Sequence, residues 1–147
     1  MASEVTADGL AKVTHRTSAS PQDVWAALSD GWLYSSWVVG TSRIRAVDTT
    51  WPAAGSRIHH SVGVWPLLVN DETVVLEAEV GRRLVLQAQG WPAGEARVEV
   101  TLSQGPGRDL GPTVISIVED AVTGPGKLLP KALRVESADV VCEAVTT

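Results

Sequence analysis

The residues best able to do chemistry in this chain are few. Three histidines stand among 147 residues, and two are adjacent, His59–His60 in RIHHSVGVWP. An imidazole titrating near neutrality can serve as acid, base, hydrogen-bond donor or metal ligand. Adjacent residues on a strand point to opposite faces, so the doublet splits. Arg57, His59 and Ser61 share one face, and Ile58, His60, Val62 and Val64 the other. The apolar set must be buried, which sends His60 inward and leaves His59 outside beside Arg57. A strand offers metal ligands at i and i+2, and no Cys/His/Asp cluster completes a shell. No metal site and no cofactor is therefore expected. His60 is either a general acid/base and ligand contact or a buried neutral histidine bonded to a neighbour.

Carboxylates follow the same logic. In TVISIVEDAV, the set Ile115, Ile117, Glu119, Ala121 suits the inside better than Val114, Ser116, Val118, Asp120. Glu119 then points inward, where it orients a ligand, pairs with a cation, or carries a raised pKa through burial. Glu77 and Glu79 alternate with Leu76, Ala78 and Val80 and are expected to face water together, as are Arg97 and Glu99. The direction of His15 is not decided by its weakly patterned strand. Cys142 is the only cysteine, so no internal disulfide forms. Neither a phosphate-cradling glycine loop nor a nucleophile elbow is present: QGPGRDLGP and TGPG are turn chemistry.

The aromatic content is six Trp, one Tyr and no Phe. Tryptophan suits the walls and mouths of pockets. Trp32, Trp37, Trp65 and Trp91 lie at element ends or on a short helical turn, and pocket lining is expected for three of the four, against core packing or loop plugging. Trp25 is expected to pack a helix and Trp51 to cover a turn.

The elements that must position these residues follow from periodicity. Residues 1–9 read as a loose N-terminal tail, and LAKVTHRTS as a first strand. SASPQDVWAALSDG starts a helix: Ser20 is the N-cap, Pro21 the first helical residue, and Asp23 completes a capping-box-like pattern. Val24, Ala27 and Leu28 form its apolar face, and Gly31 is placed to end it in a left-handed conformation. WLYSSW is a second helical turn, with Leu33 and Trp37 on one side. From residue 41 the texture alternates: TSRIRAVDT, SRIHHSVGVW, NDETVVLEAEV, RLVLQAQG, ARVEVTLS and TVISIVEDAV read as strands joined by short turns. Short turns imply antiparallel pairing. A helix is expected again from about Lys127, with Leu133, Ser137, Val140, Val141 and Ala144 on one side.

The length suits one domain, residues 1–147. A formal charge of −5 with no dense basic run argues against nucleic acid. No apolar run approaches the ~20 residues of a membrane span, and MASEVTADGL lacks the features of a signal peptide. A cytoplasmic protein is expected.

The order strand, two helices, six strands, helix resembles the helix-grip fold of the START and birch-pollen-allergen (Bet v 1-like, SRPBCC) superfamily. It is most similar to the small bacterial polyketide cyclase/dehydrase and lipid-transport-like proteins. The resemblance is carried by SASPQDVWAALSD, Trp32 to Trp37, GSRIHHSVGVWPL and EDAVTGPG, over about residues 10–130. KALRVESADVVCEAVTT departs from the longer terminal helix of that family, rich in Arg, Leu and Asn. The resemblance implies an α+β fold: a curved antiparallel sheet of about seven strands around a C-terminal helix, with two short helices after the first strand. It also implies an internal apolar cavity that takes a small hydrophobic or polycyclic molecule, a lipid, polyketide or isoprenoid. Ile58, His60, Ile117 and Trp32, Trp37, Trp65, Trp91 are the expected lining. An alternative is a polyketide cyclase or dehydratase in which His60 or Glu119 moves a proton beside a carbonyl. A weaker one is a protein-interaction or co-chaperone-like module. Fold alone does not choose among them.

Overall fold

The computed structural model describes residues 2–37, 41–62, 65–90, 94–105 and 111–122. The expected C-terminal helix and Trp91 lie outside the described residues. Eight strands form one open antiparallel sheet: β1 (Ala2–Val5), β2 (Ala11–Thr17), β3 (Thr41–Val47), β4 (Arg57–Val62), β5 (Val69–Glu79), β6 (Arg83–Gly90), β7 (Gly94–Gln104) and β8 (Thr113–Ala121). Their order is β1-β2-β8-β7-β6-β5-β4-β3, so β2 crosses over to pair with β8 and the rest run as consecutive hairpins. Between β2 and β3 lie helix α1 (Pro21–Ser29), a 3-10 turn (Gly31–Leu33) and the single-turn helix α2 (Tyr34–Trp37).

The sequence pattern yields this sheet because nearly every strand buries alternate residues. Ala11 and Val13, Ile58 and His60, Thr73 and Val75, Leu84 and Leu86, Val100 and Leu102, and Thr113, Ile115 and Ile117 are all buried. They form the inner face, against which α1 sets Val24, Trp25 and Leu28 and α2 sets Tyr34. α1 starts as its residues dictate. Ser20 Oγ accepts from Asp23 N at 3.1 Å and donates to Asp23 Oδ2 at 2.7 Å, which satisfies one of the helix's unpaired amides.

Four expectations need correction. Residues 2–5 are not a tail but edge strand β1, paired to β2 from Ala2↔Thr14 to Val5↔Ala11. An edge strand is held by backbone bonds and buries little: Val5 stays 52% exposed, so no apolar alternation announced it. Gly31 is not left-handed. Asp30 ends α1 in extended backbone, and its Oδ1 accepts from Trp32 N at 3.1 Å to cap the next turn. Gly31 is needed for space instead, since a Cβ there would meet Val47 Cγ1 at 2.5 Å and Ile58 Cδ1 at 3.3 Å. Of Leu33 and Tyr34 it is Tyr34 that is buried, at 1%, whereas Leu33 is 45% exposed; the Trp37 side chain lies outside what the structure describes. Finally, Leu76 and Val80 are exposed, and of that set only Ala78 packs on the core. A register shift between Val75 and Glu77 interrupts the alternation there, as an extra residue in one strand does.

Candidate functional site

Two buried polar residues of the inner face, His60 and Thr73, lie together on β4 and β5 beside Tyr34 of α2. His60 is 2% exposed, and Thr73, diagonal to it on β5 and opposite Ile58, is fully buried. Tyr34 lies over both. Its ring stacks on the His60 imidazole, with centroids 5.6 Å apart and planes 25° off parallel. Its phenol oxygen is 2.7 Å from Thr73 Oγ1, which is 3.0 Å from His60 Nε2. Trp51 closes the side, edge-on to Tyr34 at 6.4 Å, and donates from Nε1 to Leu28 O at 3.2 Å. Backbone–side-chain bonds fix β4 from the edge: Arg45 Nε and Nη2 both reach His60 O at 3.3 Å.

One atom of this arrangement is left over. His60 Nδ1 is buried and has no hydrogen-bond partner. A buried polar nitrogen without a partner costs free energy, so it calls for a reason. Burial also pushes the His60 pKa down, against the pull of the Asp71 carboxylate. The imidazole is therefore neutral at pH 7, with Nε2 fixed by a hydroxyl and Nδ1 open. Tyr34 is pushed up to about 12, by burial first and, in smaller part, by the charge of Glu119. It stays a phenol at physiological pH.

Glu119 lies on the same face as Ile115 and Ile117, as expected, and is half-buried. Three strands separate β8 from β4 in the sheet order, so Glu119 and His60 are not neighbours along the sheet. What they share is Tyr34. His15 pairs with Ile115 in register and follows Ala11 and Val13 on the inner face; its Nδ1 too is buried without a partner. Sequence alone left its direction open, because β2 alternates weakly.

The remaining predicted residues are dispersed. Ile58 and Ile117 are buried core residues. Trp65 is 81% exposed just after β4, and Trp32 is 59% exposed on the 3-10 turn, where it lines an outer groove. α2 ends at Trp37. His59, on the opposite face from His60, lies 3.8 Å from Asp48 Oδ1 and 3.7 Å from Glu72 Oε2. Ser61 was expected to be exposed with it but is 6% exposed, its Oγ donating to Asn70 Oδ1 at 3.0 Å. Glu77 does face outward, ion-paired with Arg83 and, at 3.9 Å, Arg97. Trp51, taken as a turn cover, is a core residue at 9%. The residues that sequence reasoning missed are Tyr34 and Thr73. Thr73 was signalled by its place two residues before Val75; Tyr34, as the only tyrosine in a chain without Phe, carried a weaker signal.

No family model matches the chain, and no curated protein does. Solved structures do. A protein of unknown function, SA2116 from Staphylococcus aureus, is 11% identical, with a TM-score of 0.68 over 97% of this chain and 92% of that one. Protein MLL2253 from Mesorhizobium loti is 19% identical, with a TM-score of 0.66 over 93% of each chain. The di-domain ARO/CYC StfQ from the steffimycin biosynthetic pathway is 8% identical, with a TM-score of 0.68 over 92% of this chain and 48% of that one. At such identities the likeness shows the fold alone. No described helix is long and apolar enough to cross a membrane.

Proposed function

We propose that the chain is a cytoplasmic helix-grip protein of the SRPBCC type that binds a small hydrophobic, ring-bearing molecule against the inner face of its sheet. The observation that carries this reading is His60: one neutral imidazole in an apolar wall, oriented through Nε2, with Nδ1 unpartnered. A mostly apolar site with one or two placed polar groups is how small-molecule sites are built. A carbonyl or hydroxyl oxygen of the ligand would complete Nδ1, while Ile58, Ile117 and the tryptophans supply the apolar contact. Binding of fluorescent hydrophobic probes, together with native mass spectrometry of protein purified from its own host, tests it. Wild-type protein takes up a probe or retains a ligand, and His60→Leu weakens polar-ended probes more than purely apolar ones. Absence of any bound ligand and of any probe uptake would sink the reading.

A second reading, a polyketide cyclase or dehydratase, draws on one further observation. The open nitrogen belongs to a neutral base, and the hydroxyls of Thr73 and Tyr34 run on from its other nitrogen. In that reading Nδ1 takes a proton from the carbon beside a carbonyl. Deuterium exchange at the α-carbon of a β-ketothioester measures it: wild type exchanges faster than buffer and His60→Leu does not. Exchange at the buffer rate in wild type leaves the binding reading alone.

A further inference from the structure

Thr73 Oγ1 stands between two partners, 2.7 Å from the Tyr34 phenol oxygen and 3.0 Å from His60 Nε2. Thr73 is fully buried, and its β-branched side chain is stiff, which holds that oxygen in place. A hydroxyl has a single proton, so Thr73 gives to one partner and accepts from the other. Two alignments exist. In one, Tyr34 gives to Thr73 and Thr73 gives to Nε2. In the other, Nε2–H gives to Thr73 and Thr73 gives to the phenol oxygen.

Donor and acceptor strength separate them. A phenol, with an ordinary pKa of about 10, is a far stronger donor than an aliphatic hydroxyl. Its oxygen shares electrons with the ring and accepts poorly, whereas the bare nitrogen of a neutral imidazole accepts well. The first alignment runs from the best donor to the best acceptor, and each bond strengthens the next. This holds whatever else the phenol touches. Tyr34 also keeps a proton to give, its pKa being pushed up to about 12. A neutral imidazole carries one N–H, and the bond made at one nitrogen decides which of the two holds it. We propose that Thr73 and Tyr34 are positioning residues that fix His60 with its proton on Nδ1, so that the open nitrogen is a donor and selects ligands by an acceptor oxygen, that of a ketone or other carbonyl. The ligand half rests on the binding reading above; the tautomer does not. An Nδ1–H is no base, so this assignment counts for binding and against proton abstraction by His60.

NMR correlation of ring protons with the nitrogens of nitrogen-15-labelled histidine locates the proton, at about pH 8, where an ordinary imidazole is neutral. His60→Leu assigns the signals. Wild type shows the Nδ1–H tautomer at His60. Thr73→Val deprives Nε2 of its donor and moves the proton to Nε2, the site that free histidine prefers, and Thr73→Ser restores Nδ1–H. Tyr34→Phe keeps the ring, removes the head of the chain and populates both tautomers. In binding, acetonaphthone exceeds ethylnaphthalene by about three- to tenfold in wild type and in Thr73→Ser, and the two are about equal in Thr73→Val. An Nε2–H tautomer in wild type overturns the proposal. So does a folded Thr73→Val protein that keeps Nδ1–H, and Tyr34→Phe with the wild-type tautomer strikes Tyr34 from it. A ketone bound no better than the hydrocarbon overturns the ligand half. Uptake of neither naphthalene sinks the binding reading and the ligand half with it, while the spectrum alone decides the tautomer.

Discussion

Two polar networks sit on opposite faces of the same sheet, and they are built on opposite principles. On the inner face, Tyr34, Thr73 and His60 are uncharged and essentially dry, and one nitrogen is left without a partner. On the outer face, Arg83 bonds Glu77 and, at 2.9 Å, Glu99, while Arg97 reaches Glu77 at 3.9 Å. These groups are charged, mutually paired and partly in water. The Arg83 guanidinium holds the Glu99 carboxyl below its ordinary value, against the rise that partial burial would give. The outer network also has a structural task. Val85 alternates with the core residues Leu84 and Leu86, yet is fully buried. The stems of long charged side chains cover such a position. A dense ion-pair cluster is thus explained by cover for the sheet, whereas the sparse inner cluster leaves an unmet hydrogen bond. The pairing that catches the eye is on the wrong face to mark a site.

The sharpest way to break the inner network is at Tyr34. Tyr34→Ala removes a buried ring that stacks on His60 and meets Trp51, and should cost about 3–5 kcal/mol in denaturant unfolding. Tyr34→Phe keeps the ring and leaves Thr73 bonded to His60, so about 1–2 kcal/mol is expected. Equal losses for the two would mean that the hydroxyl, not the packing, holds α2 down. Gly31→Ala comes next, at about 1–3 kcal/mol, because the added methyl is driven into Val47. The turn that must then shift leads directly into Tyr34, so the His60 imidazole signals in NMR should move as well. Unmoved signals would show that the turn and the network are uncoupled.

How much of this was legible in the sequence follows from the same contrast. Strand alternation is a strong signal wherever one face is buried. It therefore gave the inward direction of His60 and Glu119, the outward direction of Glu77, and every hairpin from β3 to β8. It failed at Leu76, where a bulge inserts a residue and the period breaks. It also failed at β1, where an edge strand buries too little to leave a pattern. Tyr34 was hidden for another reason. Leu33 and Tyr34 are adjacent and both apolar or aromatic, and only tertiary packing selects which of the two enters the core. The partnership of His60 with Thr73 depends on the β4–β5 register, in which Ile58 faces Thr73 and His60 faces Asp71. Cross-strand register of that kind is set by turn geometry and bulges more than by composition.

Acid separates the two networks, and this is the smallest effect but the cleanest comparison. The folded-state pKa of His60 lies below its ordinary 6.5, so below that pH the unfolded chain takes up a proton that the folded chain refuses. Its contribution to stability is complete above about 6.5 and is lost as pH falls from there toward the folded value, by at most about 1.4 kcal/mol per pH unit. Glu99 is also depressed, but from 4.5, so its contribution survives to lower pH and is lost only below that value. Between pH 6.5 and 5, then, His60→Leu should flatten the fall in unfolding free energy, while Glu99→Gln leaves it unchanged. Salt should do the reverse. Half-molar sodium chloride shortens the screening length to a few ångströms, weakening the exposed Arg83–Glu99 pair and leaving the buried hydroxyl–imidazole chain untouched. A His60→Leu protein with the full wild-type acid slope would mean that the folded chain takes up a proton at His60 as readily as the unfolded one, and the imidazole would then owe nothing to burial.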